Sequence, residues 1–411
     1  MFAFAFIAYV QRQAVTVAAA GMISDLGFTQ MRVGLLAQAF VIGYTFLQFA
    51  GGVYGQRYGA HRTFVVISLV AYLAVVAVPA APALLQGSAL FAAMLAAQLI
   101  LGAAQAPVFP VSAGVMEAWF APRRWSLILG MQSFGMNLGA ALTPPLVSHL
   151  MQAAGWRRAL LYASVPALAV VAGWAWYGRN SPAEHPGVSA EELAERGAAE
   201  PVERAMSIDW RRVRRVLCDR NVLLITASYT SMNYVFYLLQ VWCFLYLIQE
   251  RHFTLLESGW LAMLPPLGAA LGAGLGGKLG GMCYLRYGAR WGYRLVPLVG
   301  LPLGGVLLIA AVAAGNAYWA VAALTGAYAA VELLEGPAWA ATLSVAQSDT
   351  MAATGVLNTG GNVIGIIGIP VVAFLSSHGM WTSSFVIGAL LAVVSGILWL
   401  WIDAGERLKA D

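Results

Sequence analysis

Long apolar stretches separated by short polar ones occupy most of this chain, at about 2–25, 33–55, 63–84, 87–119, 126–151, 158–178, 221–249, 258–283, 292–314, 318–346, 352–376 and 381–403. Each has the length of about 20 residues or more that a helix needs to cross a bilayer, so about twelve spans are predicted. The longest polar interval, beginning RNSPAEHPGVSAEELAERGAAEPVERA at Arg179, divides them six and six. It reads as a solvated linker with a short charged helix. The organisation expected is an N-terminal six-helix bundle over 1–178, a linker over 179–220, a second bundle over 221–404 and a tail over 405–411.

Composition agrees with the pattern. Hydrophobic residues make up 60% of the 411 and charged ones 10%, with a mean hydropathy of +0.74, which excludes a soluble domain. The net charge of +5 is an orientation signal and not a nucleic-acid footprint. About 18 of the 23 Lys and Arg residues fall on the side of the linker and C-terminus, which predicts both termini in the cytoplasm of a multi-pass cell-membrane protein. The N-terminal segment lacks a small-residue cleavage site and reads as the first span.

Candidate chemistry is sparse. Arg12 stands among apolar residues in the first span, where an arginine at the centre of a spanning helix costs about 2.5–3.5 kcal/mol on insertion scales. It either snorkels to water or faces a functional path. Glu332 and Glu335 lie near the middle of the tenth span, three apart and on adjoining parts of one face. Polar and aromatic pairs at helical spacing add Tyr9 with Arg12 and Gln13, Tyr44 with Gln48, Asn358 with Asn362, and Asn233, Tyr237 and Gln240 as a stripe of the seventh span. Each amide could equally make an interhelical hydrogen bond, and each tyrosine could simply pack. The five histidines and three cysteines show no metal-type spacing, and no Walker-type loop is present. Enzymatic and ATP-driven readings therefore find no support, and no cofactor is expected.

The halves resemble each other. GGVYGQRYGAHR, from Gly51 to Arg62, has a counterpart in GGKLGGMCYLRYGAR, from Gly276 to Arg290. With YVQR and VAAAG in the first span, AFVIGYTFLQFAGGVYGQRYGAHR, APVFPVSAGVMEAWFAPRRWS, GWRRALLY and GVLNTGGNVIGIIGIP, the chain resembles the major facilitator superfamily, and within it the anion:cation symporters of sugar acids and organic anions. That resemblance implies an all-α membrane protein with twelve transmembrane helices in two pseudo-symmetric six-helix bundles. It also implies alternating access to a midplane site lined by the first, fourth, seventh and tenth helices.

By the resemblance, substrate would meet Arg12, Tyr9, Tyr44, Gln48, Gln105, Tyr237, Asn358 and Asn362, and gating would involve Gly52, Gln56, Arg57, Gly59 and Arg62. Expected partners are a small anionic substrate, a co-transported proton or sodium ion and the lipid bilayer, with the protein a monomer. The departures matter as much as the matches. The family has acids where this chain has Gln11, Gln105 and Gln56, and often an arginine at Gln98, whereas an amide neither ionises nor carries a proton. Coupling would then rest on Glu332 and Glu335, which are expected to pair with Arg12, to titrate, or to sit as protonated acids in a helix interface. At Gln56 the amide is expected to hold the cytoplasmic side closed less firmly than an acid, so that Gln56→Asp would strengthen closure. Two other readings stay open: an uncoupled facilitator or exporter of a neutral or zwitterionic solute, and a membrane sensor or assembly component that has lost transport.

Overall fold

The computed structural model describes residues 1–189, 191, 210–253, 255–406 and 408, and within them the regular elements are helices. α1 is Phe2–Leu26, ended by Gly27 in the left-handed region at φ 63°. α2 is Gln30–Phe46 continued, across a 50° bend at Leu47, by Gln48–Tyr58. α3 is Ala60–Leu84, and α4 is Gly87–Gln105 continued by Val108–Trp119. α5 and α6 share the run Pro122–Tyr177, which is divided at the non-helical Gly155. α7 is Arg220–Gln249. α8 starts as Leu255–Leu261 and continues into Leu264–Ala313, a run that holds α9 beyond the non-helical Gly288. α10 is Ala317–Glu332 continued by Glu335–Ala346, α11 is Thr350–Ser377 and α12 is Trp381–Leu398.

Eight of these runs are apolar and long enough to cross a bilayer. Dividing the two fused runs at Gly155 and Gly288, and adding α1 and the bent α2, gives the twelve spans of two six-helix bundles, α1–α6 and α7–α12. Of the predicted linker, residues 190 and 192–209 lie outside the described residues, as do 407 and 409–411 of the tail. Trp210–Cys218 is a short helix carrying Arg211, Arg212, Arg214 and Arg215.

Local chemistry sets the ends. The Asp219 carboxylate accepts from the Val222 amide at 2.9 Å to start α7, and the Asn316 side chain accepts from Tyr318 at 2.8 Å to start α10. Gly59 and Gly288, at φ 83° and 73°, occupy matching turns of the two repeated loops, a backbone region that residues with a Cβ avoid. Large side chains such as Leu271, Val299, Val306, Trp319, Phe374 and Leu390 are exposed, as suits a surface bathed in lipid.

The bundles meet through small residues. Gly130 of α5 lies against Ala273 and Gly277 of α8, and Gly336 of α10 against Ser126 of α5. Gly52 and Gly55 of α2, with Gly114 of α4, enclose Met351 of α11. Backbones approach this closely only where no Cβ intervenes. These contacts lie towards the side bearing the linker, so the bundles are closed together there. The bend at Leu47 fits the same packing. Above it, Gly43 of α2 and Gly102 of α4 allow those two helices to cross backbone to backbone, and below it Phe49 packs on Gly355 of α11.

Candidate functional site

Arg12 lies in the middle of α1 and does not snorkel to a helix end. Its guanidinium carbon stands 4.9 Å from the ring centroid of Phe40, 5.4 Å from that of Tyr9 and 5.6 Å from that of Tyr44. Tyr237 of α7 completes the surroundings. A cation over an aromatic face gains about 0.5–2 kcal/mol, so three rings offset much of the burial cost without any counter-ion. Arg157 pairs with Asp25 and Arg290 with Asp403, and neither Glu332 nor Glu335 pairs with Arg12.

From this box a chain of hydrogen bonds crosses the site. The Tyr237 hydroxyl donates to Asn362 Oδ1 at 2.6 Å, Asn362 Nδ2 donates to the Asn358 carbonyl at 2.7 Å, and Asn358 Nδ2 donates to Gln48 Oε1 at 2.8 Å. Helices α7, α11 and α2 are thereby tied side chain to side chain. Tyr44 and Gln48 fall on opposite sides of the α2 bend, and the Tyr44 hydroxyl still meets the side chains of Gln48 and Asn358. Beside the network is a small cavity lined by Tyr9, Tyr44, Asn233, Glu335, Asn358 and Asn362, together with Phe109, Met136, Tyr229 and Phe236. Both bundles contribute to it. The last four were not anticipated, since an apolar or aromatic residue in an apolar span gives no contrast.

Gln105 is placed elsewhere. Its Nε2 donates to Gln11 Oε1 at 3.0 Å, and both line a second cavity inside the first bundle, with Ile67, Ser68 and Val171. One bond joins the two amides, which turns Gln105 towards Gln11 and away from the central cavity, and Gln11 Nε2 is left buried without a partner.

The acids of α10 flank its break, where Pro337 removes a backbone donor. Glu335 Oε2 accepts from Ser133 Oγ and from Trp339 Nε1, both at 3.0 Å, and Glu332 Oε2 accepts from Asn137 Nδ2 at 3.1 Å. Ser133 and Asn137 are four apart on α5, so these bonds cross between the bundles. The polar pair in SFGMN of the fifth span carried the i, i+4 signal that could have found them.

On the linker side the predicted gating residues behave differently from one another. Gly52 lies against the Met351 carbonyl, and Gly59 lies against Asn180, whose side chain also accepts from the His61 amide at 3.0 Å. Arg57 lies over the Tyr58 ring at 5.2 Å, and Arg62 is exposed. Gln56 Nε2 donates to Asp349 Oδ1 at 3.1 Å, across to the start of α11. The resembled family has an acid where Gln56 stands, and here an acid stands opposite it, at Asp349. This reverses the expected effect of Gln56→Asp, because a second carboxylate would face the first.

The profile of the Major Facilitator Superfamily matches residues 1–348. The "Probable sulfoacetate transporter SauU" of Cupriavidus necator is 28% identical over 395 residues, covering 94% of this chain and 89% of that protein. The "Hexuronate transporter" of Bacillus subtilis is 24% identical, with 95% and 90% covered, and the "Probable galactarate/D-glucarate transporter GudP" of Escherichia coli is 22% identical, with 94% and 89% covered. Among solved structures, the proton:xylose symporter XylE shares the fold at a TM-score of 0.75 and 12% identity, covering 98% of this chain and 96% of that one. FucP in its outward conformation does so at 0.73 and 14%, with 98% and 97% covered. Twelve spans in two bundles, a cavity to which both contribute and a family match over most of the length lead to one assignment: the chain belongs to the Major Facilitator Superfamily of membrane transporters.

Proposed function

We propose that the protein is a secondary active transporter of a small organic anion, a sugar acid or another carboxylate or sulfonate, working by alternating access. The observation that carries this reading is Arg12, held by aromatic rings with no carboxylate partner, beside a cavity to which both bundles contribute. A planar fork of donors matches an oxyanion, and the neighbouring amides suit hydroxyl groups on the same solute. The names of the relatives, all transporters of organic acids, point the same way. Segments 1–178 and 221–404 would rock about this site as a monomer in the cell membrane, with the linker and both termini in the cytoplasm. The neutral Gln11–Gln105 bond favours a second reading, an uncoupled facilitator, which gradient-driven accumulation in proteoliposomes would exclude.

The test is a thermal-shift titration of the detergent-solubilised protein with glucuronate, galactarate and sulfoacetate. A ligand that binds only the folded state raises its melting temperature. For the anion that does so, Arg12→Lys weakens binding and Arg12→Gln weakens it about a hundredfold, the loss of about 3 kcal/mol of charge-assisted hydrogen bonding. A folded Arg12→Gln protein with unchanged affinity would remove Arg12 from the site.

A further inference from the structure

Four side chains at the midplane form a cluster for which the anion site has no use. Glu332 and Glu335 come from α10 of the second bundle, and Ser133 and Asn137 from α5 of the first, with relative exposures of 0%, 3%, 2% and 0%. Two of their oxygens, Glu332 Oε1 and Asn137 Oδ1, have no hydrogen-bond partner although fully buried. A buried acceptor left unpaired costs about 1–3 kcal/mol, and a buried carboxylate without a counter-ion costs more. The groups that face the pair are Tyr9 of α1, Tyr44 of α2, Tyr229 of α7, Tyr328 of α10 and Trp339, and none of them is a cation. Two carboxylates, two orphaned oxygens and no basic partner describe a place for positive charge that the protein itself does not supply.

Resting on the transport reading above, we propose that Glu332, Glu335, Ser133 and Asn137 form a site for a small monovalent cation, a proton or a sodium ion, and that filling it clamps the two bundles together on the linker side. The oxygen-only donor set suits a hard ion. Among the described residues no three acidic, histidine or cysteine side chains gather for a metal, which fits a singly charged occupant better than a divalent one. Glu335 also lines the central cavity, so the cation has a route from the space where the anion binds.

The clamp follows from where the ligands come from. Rocking the bundles apart on the linker side separates α10 from α5 and dismantles the site, so the cation binds the linker-closed state in preference. A ligand that binds one of two states shifts the population towards it, and by reciprocity closure raises the cation's affinity. With the linker in the cytoplasm, the site fills from outside and empties inside, the order that cation-driven uptake needs.

The experiment uses the purified full chain in lipid nanodiscs with no anion present. Spin labels replace Arg124 and Tyr287, both exposed on the linker side of opposite bundles, in a background without Cys218, Cys243 and Cys283. The distance distribution is followed against sodium, balanced with choline at fixed pH, and against pH without sodium. The short-distance population rises in one arm, by about a hundredfold in ratio at about 100 times Kd if only the closed state binds, and the arm that responds identifies the ion. Glu332→Gln and Asn137→Leu lose the response, with Ser133→Ala as the milder variant should either fail to fold. Wild-type protein indifferent to both ions, or folded Glu332→Gln and Asn137→Leu proteins responding as wild type does, overturns the site. Neither result touches the anion reading, which stands or falls on Arg12 and the thermal-shift titration.

Discussion

Arg12 keeps its charge inside a membrane protein through the rings of Tyr9, Phe40 and Tyr44, and this choice of partner has a consequence for binding. Rings neutralise nothing, so on the proposed reading an arriving anion would find a positive charge and have no carboxylate to displace. Tyr237 joins that charge to the amide chain, and Tyr237→Phe would leave Asn362 Oδ1 buried without its donor. The expected cost is about 1–3 kcal/mol, seen as a lower melting temperature, together with weaker anion binding by calorimetry. A variant matching wild type in both would show that the Tyr237 hydroxyl is dispensable. At this scale the sequence was legible where polarity broke an apolar background. Tyr9, Arg12, Tyr44, Asn358, Asn362 and the two glutamates are such breaks; Tyr9, Tyr44, Glu335, Asn358 and Asn362 line one cavity, with Arg12 against two of those rings. Phe109, Met136 and Phe236 line the same cavity, but a side chain that looks like its lipid-facing neighbours carries no mark of the direction it faces. Gln105 bore the mark and faces its own bundle, because helical spacing gives a face and not the partner across from it.

Helix boundaries were readable to within a few residues because hydropathy changes sharply at them, while the breaks inside α2, α4 and α10 were not. Those of α4 and α10 lie beside Pro107 and Pro337, residues that remove a backbone donor without lowering hydropathy. That of α2 has no proline and follows from packing on α4 above and α11 below. The element that carries the sharpest test is the loop after α2. With Gln56 donating to Asp349, closure on the linker side uses an amide where two carboxylates would repel. Gln56→Asp should therefore open that side, and Gln56→Asp combined with Asp349→Asn should restore closure, as read by cysteine labelling of linker-side cavity positions. Labelling of Gln56→Asp that is unchanged or reduced would show that the bond does not hold the gate.

Across the whole molecule the two bundles repeat one backbone plan with different chemistry. Gly59 and Gly288 turn the corresponding loops, and α4 and α10 break after corresponding residues, Gln105 and Glu332. The first bundle closes its break with a neutral amide pair, and the second places acids there that reach across to α5. The glycine contacts that must part when the linker side opens set Gly52, Gly55, Gly114, Gly130, Gly277 and Gly336 against backbone and one methionine. Parting these glycine contacts hydrates peptide groups more than hydrocarbon, and it is hydrocarbon whose exposure raises the heat capacity while peptide exposure lowers it. The two terms then largely cancel. Turnover limited by this step should give a straight Arrhenius plot between about 10 and 40 °C, in contrast to the curvature that accompanies burial of large apolar surfaces. A pronounced bend in that plot would place the slow step at some other, greasier interface.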